Sequence, residues 1–95
     1  MLIIAGALYV DAADRDRYLA AATEIDRLAR SAPGCLDFAQ TADGLDAERI
    51  NVFERWESDE DLQRFRTSGG PAPLELPEVR SADIRKYRIS AVEAP

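Results

Sequence analysis

The chain has 95 residues, 12 basic and 18 acidic, for a net charge of −6, and 46% of them are apolar. That size makes one domain, taken as residues 1–95, which buries only about 60–65% of its unfolded surface and would gain from pairing with a second copy. The apolar share excludes disorder, and basic residues interleaved with a larger number of acids exclude a nucleic-acid surface.

The start, Met1 to Val10, is apolar but has no basic segment before it and is far too short to span a bilayer. Neither export nor membrane insertion is expected, and a cytoplasmic protein is the reading. Residues 2–10 form a first strand that is apolar at nearly every position, as when both faces are covered. Asp11 to Asp14 break the run and offer N-caps. From Arg15 to Ala32, Tyr18, Ala22, Ile25 and Ala29 recur at helical spacing, with Ala21 and Leu28 beside them. Asp26 and Arg30 stand four apart, as if supporting an exposed face. Pro33-Gly34 ends the helix.

Cys35 to Ala42 reads as a second strand, with Leu36, Phe38 and Gln40 on one side and Cys35, Asp37, Ala39 and Thr41 on the other. After Asp43-Gly44 a third strand covers Arg49–Trp56. Ser58 followed by Asp61 resembles a capping box opening a short helix that ends near Thr67, with Leu62 and Phe65 inward. Residues 68–81, rich in Gly and Pro, read as a loop, with a lid as the bolder alternative. A last strand, Ala82 to Ser90, puts Asp83, Arg85, Tyr87 and Ile89 on one side.

This order, βαββαβ, is an α+β, ferredoxin-like arrangement: a four-stranded antiparallel sheet with two helices on one face. The first and third strands are expected at its centre. Two helices cover one face only. The other would expose Ile3, Ala5, Ala7, Tyr9 and Phe53, so the patterning predicts a homodimer through sheet-to-sheet packing.

Two absences narrow the chemistry. Histidine is missing, which removes Ser-His and Cys-His pairs, His-ligated zinc or iron and an axial His for haem. The one cysteine, Cys35, allows no internal disulfide or thiolate cluster and fits a reducing cytoplasm. Carboxylate-only magnesium or calcium binding stays open, but no EF-hand spacing or phosphate-binding glycine loop occurs. No metal and no cofactor are expected. The only tryptophan, Trp56, ends the third strand directly before a helix start, as an anchor or as part of a pocket.

Ala32-Pro33-Gly34-Cys35-Leu36 after a long helix, Phe53-Glu54-Arg55-Trp56-Glu57-Ser58 before a short one, and Leu8-Tyr9-Val10 followed by a polar turn carry a resemblance. With this element order, the chain resembles the antibiotic biosynthesis monooxygenase superfamily, over nearly its whole length and least over residues 67–81. The resemblance implies a dimeric α/β barrel, with substrates held between sheet and helices. It also implies kinship with cofactor-free oxygenases of phenols and quinols, in which the phenolate itself passes an electron to O₂ and the protein deprotonates the phenol and holds the anion.

Trp56 matches the family's strand-three tryptophan and would donate its N–H to the substrate anion, with Glu54 on its side as proton acceptor. Asn51, the counterpart of an asparagine that some members use, is an odd number of positions away and reaches the pocket only past a bulge. Phe38, Phe65 and Tyr87 are the substrate-lining expectations, with packing or interface the plainer account of each. Haem-degrading members carry an asparagine where Gly6 stands and a histidine on the second helix, and quinol-oxidising relatives often place a histidine after it. A cofactor-independent monooxygenase acting on a small aromatic and O₂ is therefore the leading expectation. A non-catalytic ligand-binding or scaffold domain, or an isomerase or cyclase on the same barrel, is the alternative.

Overall fold

A computed structural model describes residues 1–68 and 75–95. Its elements are β1 (Leu2–Tyr9), a 3₁₀ turn (Ala12–Asp14), α1 (Arg15–Ser31), β2 (Cys35–Ala42), β3 (Arg49–Trp56), α2 (Asp59–Thr67) and β4 (Ser81–Arg88). The four strands form one antiparallel sheet in the order β2-β3-β1-β4, with β1 and β3 central as expected. The architecture is ferredoxin-like α+β. Part of the connector expected over 68–81, residues 69–74, lies outside the described residues.

The register lays out the helix-covered side in rows. Cys35, Trp56, Leu2 and Arg88 stand in one row, then Phe38, Glu54, Ile4 and Lys86, then Gln40, Val52, Gly6 and Ile84, then Ala42, Ile50, Leu8 and Ala82. Two core clusters result. Leu2, Ile4, Phe38 and Trp56 close under Ala29 and Leu62 at one end. Leu8, Val10, Ile50 and Val52 close under Tyr18 and Ala22 at the other.

Several local expectations are corrected. A bulge sits between Cys35 and Asp37, so Cys35 pairs with Trp56 and packs on the core while Leu36 is exposed. One extra residue reverses the alternation at that point. Asp11 and Asp14 make no side-chain cap, because the chain enters α1 through the 3₁₀ turn, and Asp14 accepts from Arg17 instead. Arg30 is exposed as expected, but Asp26 is half-buried, and both are tied to β2. Asp26 accepts from Gln40 Nε2 at 3.0 Å and Arg30 Nε donates to the Phe38 carbonyl at 2.7 Å, tying α1 to β2. Ser58 does cap α2, its hydroxyl accepting from the Asp61 N–H at 3.1 Å. Gly34 ends α1 with φ +81°, and a Cβ there would lie 2.2 Å from the Asp61 side chain, so both conformation and crowding call for glycine.

On the open side, Ile3, Ala5 and Tyr9 are half-buried, Phe53 is 36% exposed and Tyr87 is 52% exposed. Ala7 was expected in this exposed set but is buried. Its single methyl lies between Asn51 and Asp83, its partners on the flanking strands. Among the described helices, none is long and apolar enough to cross a membrane.

Candidate functional site

Residues 54 and 56 of a strand share one side, so β3 sends Glu54 and Trp56 together beneath the helices. Trp56 is fully buried. Its ring lies 5.4 Å from Phe65 of α2, tilted by 32°, and Phe65 meets Phe38 of β2 edge-on at 6.2 Å. Phe38 is also the register partner of Glu54, and Ile4 flanks Glu54 from β1. The carboxyl of Glu54 is thus half-buried among aromatic and aliphatic carbon.

Trp56 Nε1 donates to Glu54 Oε1 at 3.0 Å. The indole N–H expected to await a substrate is therefore held by the neighbouring carboxyl. Burial pushes the Glu54 carboxyl above its ordinary range, opposed in part by the Trp56 N–H and then by the charge of Arg66. Burial disfavours the ionised form because water no longer solvates it. Arg66 escaped the sequence reading, since nothing in residue spacing shows that the last turn of α2 faces β3.

Of the other expected site residues, Phe38 and Phe65 stand beside the pair, and Asn51 and Tyr87 do not. Asn51 lies on the opposite side of β3, donating from Nδ2 to Asp43 at 2.9 Å and accepting from Arg49 Nε at 2.7 Å. β3 pairs with β1 residue for residue from Arg49 to Trp56, so the bulge that would have turned Asn51 inward is absent there. Tyr87 is the register partner of Ile3 and shares its open side. Cys35 lies close to Glu54 on β2, and its thiol is pushed up chiefly by burial, which keeps it neutral.

One cleft adjoins this cluster. This cleft of about 310 Å³ between the end of α1 and α2 is lined by Leu28, Ala32, Pro33, Asp61, Arg64, Phe65 and Ser68, so Phe65 is a wall common to the cleft and the aromatic cluster. Every residue of β4 is exposed, Ile84 among them, although Lys86, one strand beyond Ile4, reaches Asp59 at the start of α2. Gly6, in the next row of β1, is packed closely by β4. It has φ +153°, and a Cβ would lie 2.0 Å from the Asp83 carbonyl oxygen. A larger residue would push β4 away.

Among the described residues, no group of three or more His, Cys, Asp or Glu is placed to hold a metal ion. A haem does not fit the donor set: the sequence has no histidine, its one thiol packs against the core, and Gly6 has no space for a side chain.

A ferredoxin-like sheet with a buried indole and a half-buried carboxyl under its helices defines a small α+β domain with a carboxyl–indole site. The family model described as "Antibiotic biosynthesis monooxygenase" matches residues 1–75, and the chain belongs to that family. Solved structures share the fold. A candidate antibiotic biosynthesis monooxygenase from Deinococcus radiodurans is 15% identical with a TM-score of 0.78, over 100% of this chain and 98% of that one. Rv0793 from Mycobacterium tuberculosis is 18% identical with a TM-score of 0.76, over 98% of both chains. The heme-degrader MhuD from the same organism, solved with two hemes in its active site, is 18% identical with a TM-score of 0.72, over 99% of this chain and 100% of that one. No curated protein matches the sequence significantly.

Proposed function

We propose that the protein is a cofactor-independent monooxygenase that oxidises a small phenol or quinol with O₂, as a cytoplasmic homodimer. Glu54 is the proton acceptor, Trp56 the donor to the substrate oxyanion, and Phe38 and Phe65 the aromatic walls. The observation that carries this reading is the Glu54 carboxyl, half-buried beside Phe38 and hydrogen-bonded by Trp56. A carboxyl raised by burial is matched to taking a phenolic proton. The phenolate is then the reductant. A phenol with an unsubstituted para carbon and one O₂ give a quinone and one water, and a hydroquinone with a free ring position and one O₂ give a hydroxyquinone and one water, so in each case one oxygen atom enters the product and the other leaves as water.

Dimerisation is proposed through the open side, where Phe53 and Tyr87 stand exposed around Ile3 and Ala5. The test is oxygen uptake with a panel of hydroquinones. Wild-type protein is expected to consume O₂, and Trp56→Phe and Glu54→Gln to lower the rate by about 10²-fold or more, as for loss of a donor or a base. No uptake above the Trp56→Phe control overturns the enzyme reading. One observation favours the alternative of a ligand-binding domain without catalysis: Trp56 is fully buried and its N–H already has a partner. That alternative predicts ligand affinity with no oxygen consumed.

A further inference from the structure

We infer that Glu54 and Trp56 exchange hydrogen-bond partners when an acidic phenol binds: the carboxylate takes the phenolic proton, and the indole N–H it held passes to the phenolate oxygen. This rests on the phenol-binding reading above and adds how the site switches and which phenols it takes.

An indole has one N–H and can serve one strong acceptor at a time. Trp56 is fixed by burial in the Leu2, Ile4, Phe38 and Leu62 cluster, so the direction of that N–H is fixed too. At present it points at Glu54 Oε1, 3.0 Å away. A phenolic oxygen that reaches the N–H must therefore come to the edge of the carboxylate. Two anions in contact within an apolar pocket repel strongly, and the phenol's own proton removes the conflict. The step balances: ArO–H plus Glu54 carboxylate gives ArO⁻ plus Glu54 carboxylic acid, with the site's net charge unchanged. The neutral acid is a poorer acceptor for the indole, whereas the phenolate is a charged and better one.

The surroundings support one negative charge and no more. Arg66 of α2 acts on Glu54 from one side. From β2, the Cys35 thiol stays protonated. From α1, Arg30 is held by the Phe38 carbonyl. Lys86, the next charged side chain along the row through Ile4, is held by Asp59 at 3.1 Å. The approach runs past the half-buried Glu54 itself, on the side where β4 stands exposed among the described residues. Because a carboxyl is a weak base, transfer is favourable only when the phenol is itself acidic. The preferred substrates are thus phenols carrying electron-withdrawing groups, ahead of unsubstituted ones.

The probe is 4-nitrophenol, whose absorbance reports its ionisation, and Trp56 is the only tryptophan, so the indole Nε1–H resonance is unambiguous. Bound to wild-type protein, the probe is expected to ionise about one pH unit or more below its free value, roughly a tenfold shift. The indole resonance should move in the same titration. Glu54→Gln keeps an oxygen for the indole and is expected to bind the probe in its neutral form. Ionisation undiminished in Glu54→Gln, or an indole resonance unmoved while wild-type protein ionises the probe, overturns the exchange and leaves the phenol reading standing. Failure of wild-type protein to bind the probe overturns both.

Discussion

Where β1 leaves the sheet, Leu8, Val10, Ile50 and Val52 pack under Tyr18 and Ala22, and the core is closed by packing alone. At the other end Leu2, Ile4, Phe38 and Trp56 pack under Ala29 and Leu62, but the row that holds Phe38 and Ile4 also holds Glu54. The first end is aliphatic apart from Tyr18, whose phenol is pushed up by burial and then by the charge of Asp26. The second keeps a carboxyl whose burial opposes its ionised form, set beside the one indole of the chain. An apolar side chain at position 54 would avoid that desolvation cost but would leave the buried Trp56 N–H without its acceptor. The contrast is between an end ordered by packing and one that also holds a buried carboxyl–indole hydrogen bond.

The largest expected effect tests whether the indole end carries more of the fold. Trp56→Ala should cost about 3–5 kcal/mol in denaturant unfolding, and Ile50→Val at the aliphatic end about 0.5–1.5 kcal/mol. Equal losses would erase the distinction between the two ends. An intermediate effect concerns Glu54 alone. Its pKa is higher folded than unfolded, so the folded state holds the extra proton between the ordinary value of 4.5 and the raised one. Its contribution to stability is therefore full below 4.5 and is lost as pH rises through the raised value. Chemical denaturation of wild-type protein against Glu54→Gln across pH 4–8 should show wild type falling behind as pH increases. A constant difference would mean that Glu54 titrates as it does in water.

The smallest expected effect lies at the surface near the indole end. Asp59 is held below its usual range by hydrogen bonds from Lys86 and then Arg88 of β4. Asp59→Asn should leave global unfolding nearly unchanged, as for exposed ion pairs generally. It should speed hydrogen exchange in the last residues of β4, and added salt should do the same to wild type. Unchanged exchange would show that β4 is held by its pairing with β1 alone.

Much of this was legible before any coordinates. Alternation and turn residues gave β2 and β3 their observed bounds, Cys35–Ala42 and Arg49–Trp56, and β4 within two residues. The same alternation put Glu54 and Trp56 on one side and Asn51 on the other, because a strand's period is two whatever surrounds it. The side that Tyr87 takes could not be read the same way. Its side follows from pairing with Ile3, and pairing register is a long-range property. The bulge at Leu36 likewise left no trace in composition, and it decided that Cys35 faces the core.

The sequence by itself determined the element order, the two central strands, the lack of histidine chemistry and the sharing of one side by Glu54 and Trp56, since each follows from composition or local periodicity. Only the tertiary structure decided that the indole N–H rests on the carboxyl, that Phe38 and Phe65 stand beside it, and that β4 is exposed along its length among the described residues. Those depend on distances between residues far apart in the chain, which register and helix placement set and local spacing does not encode.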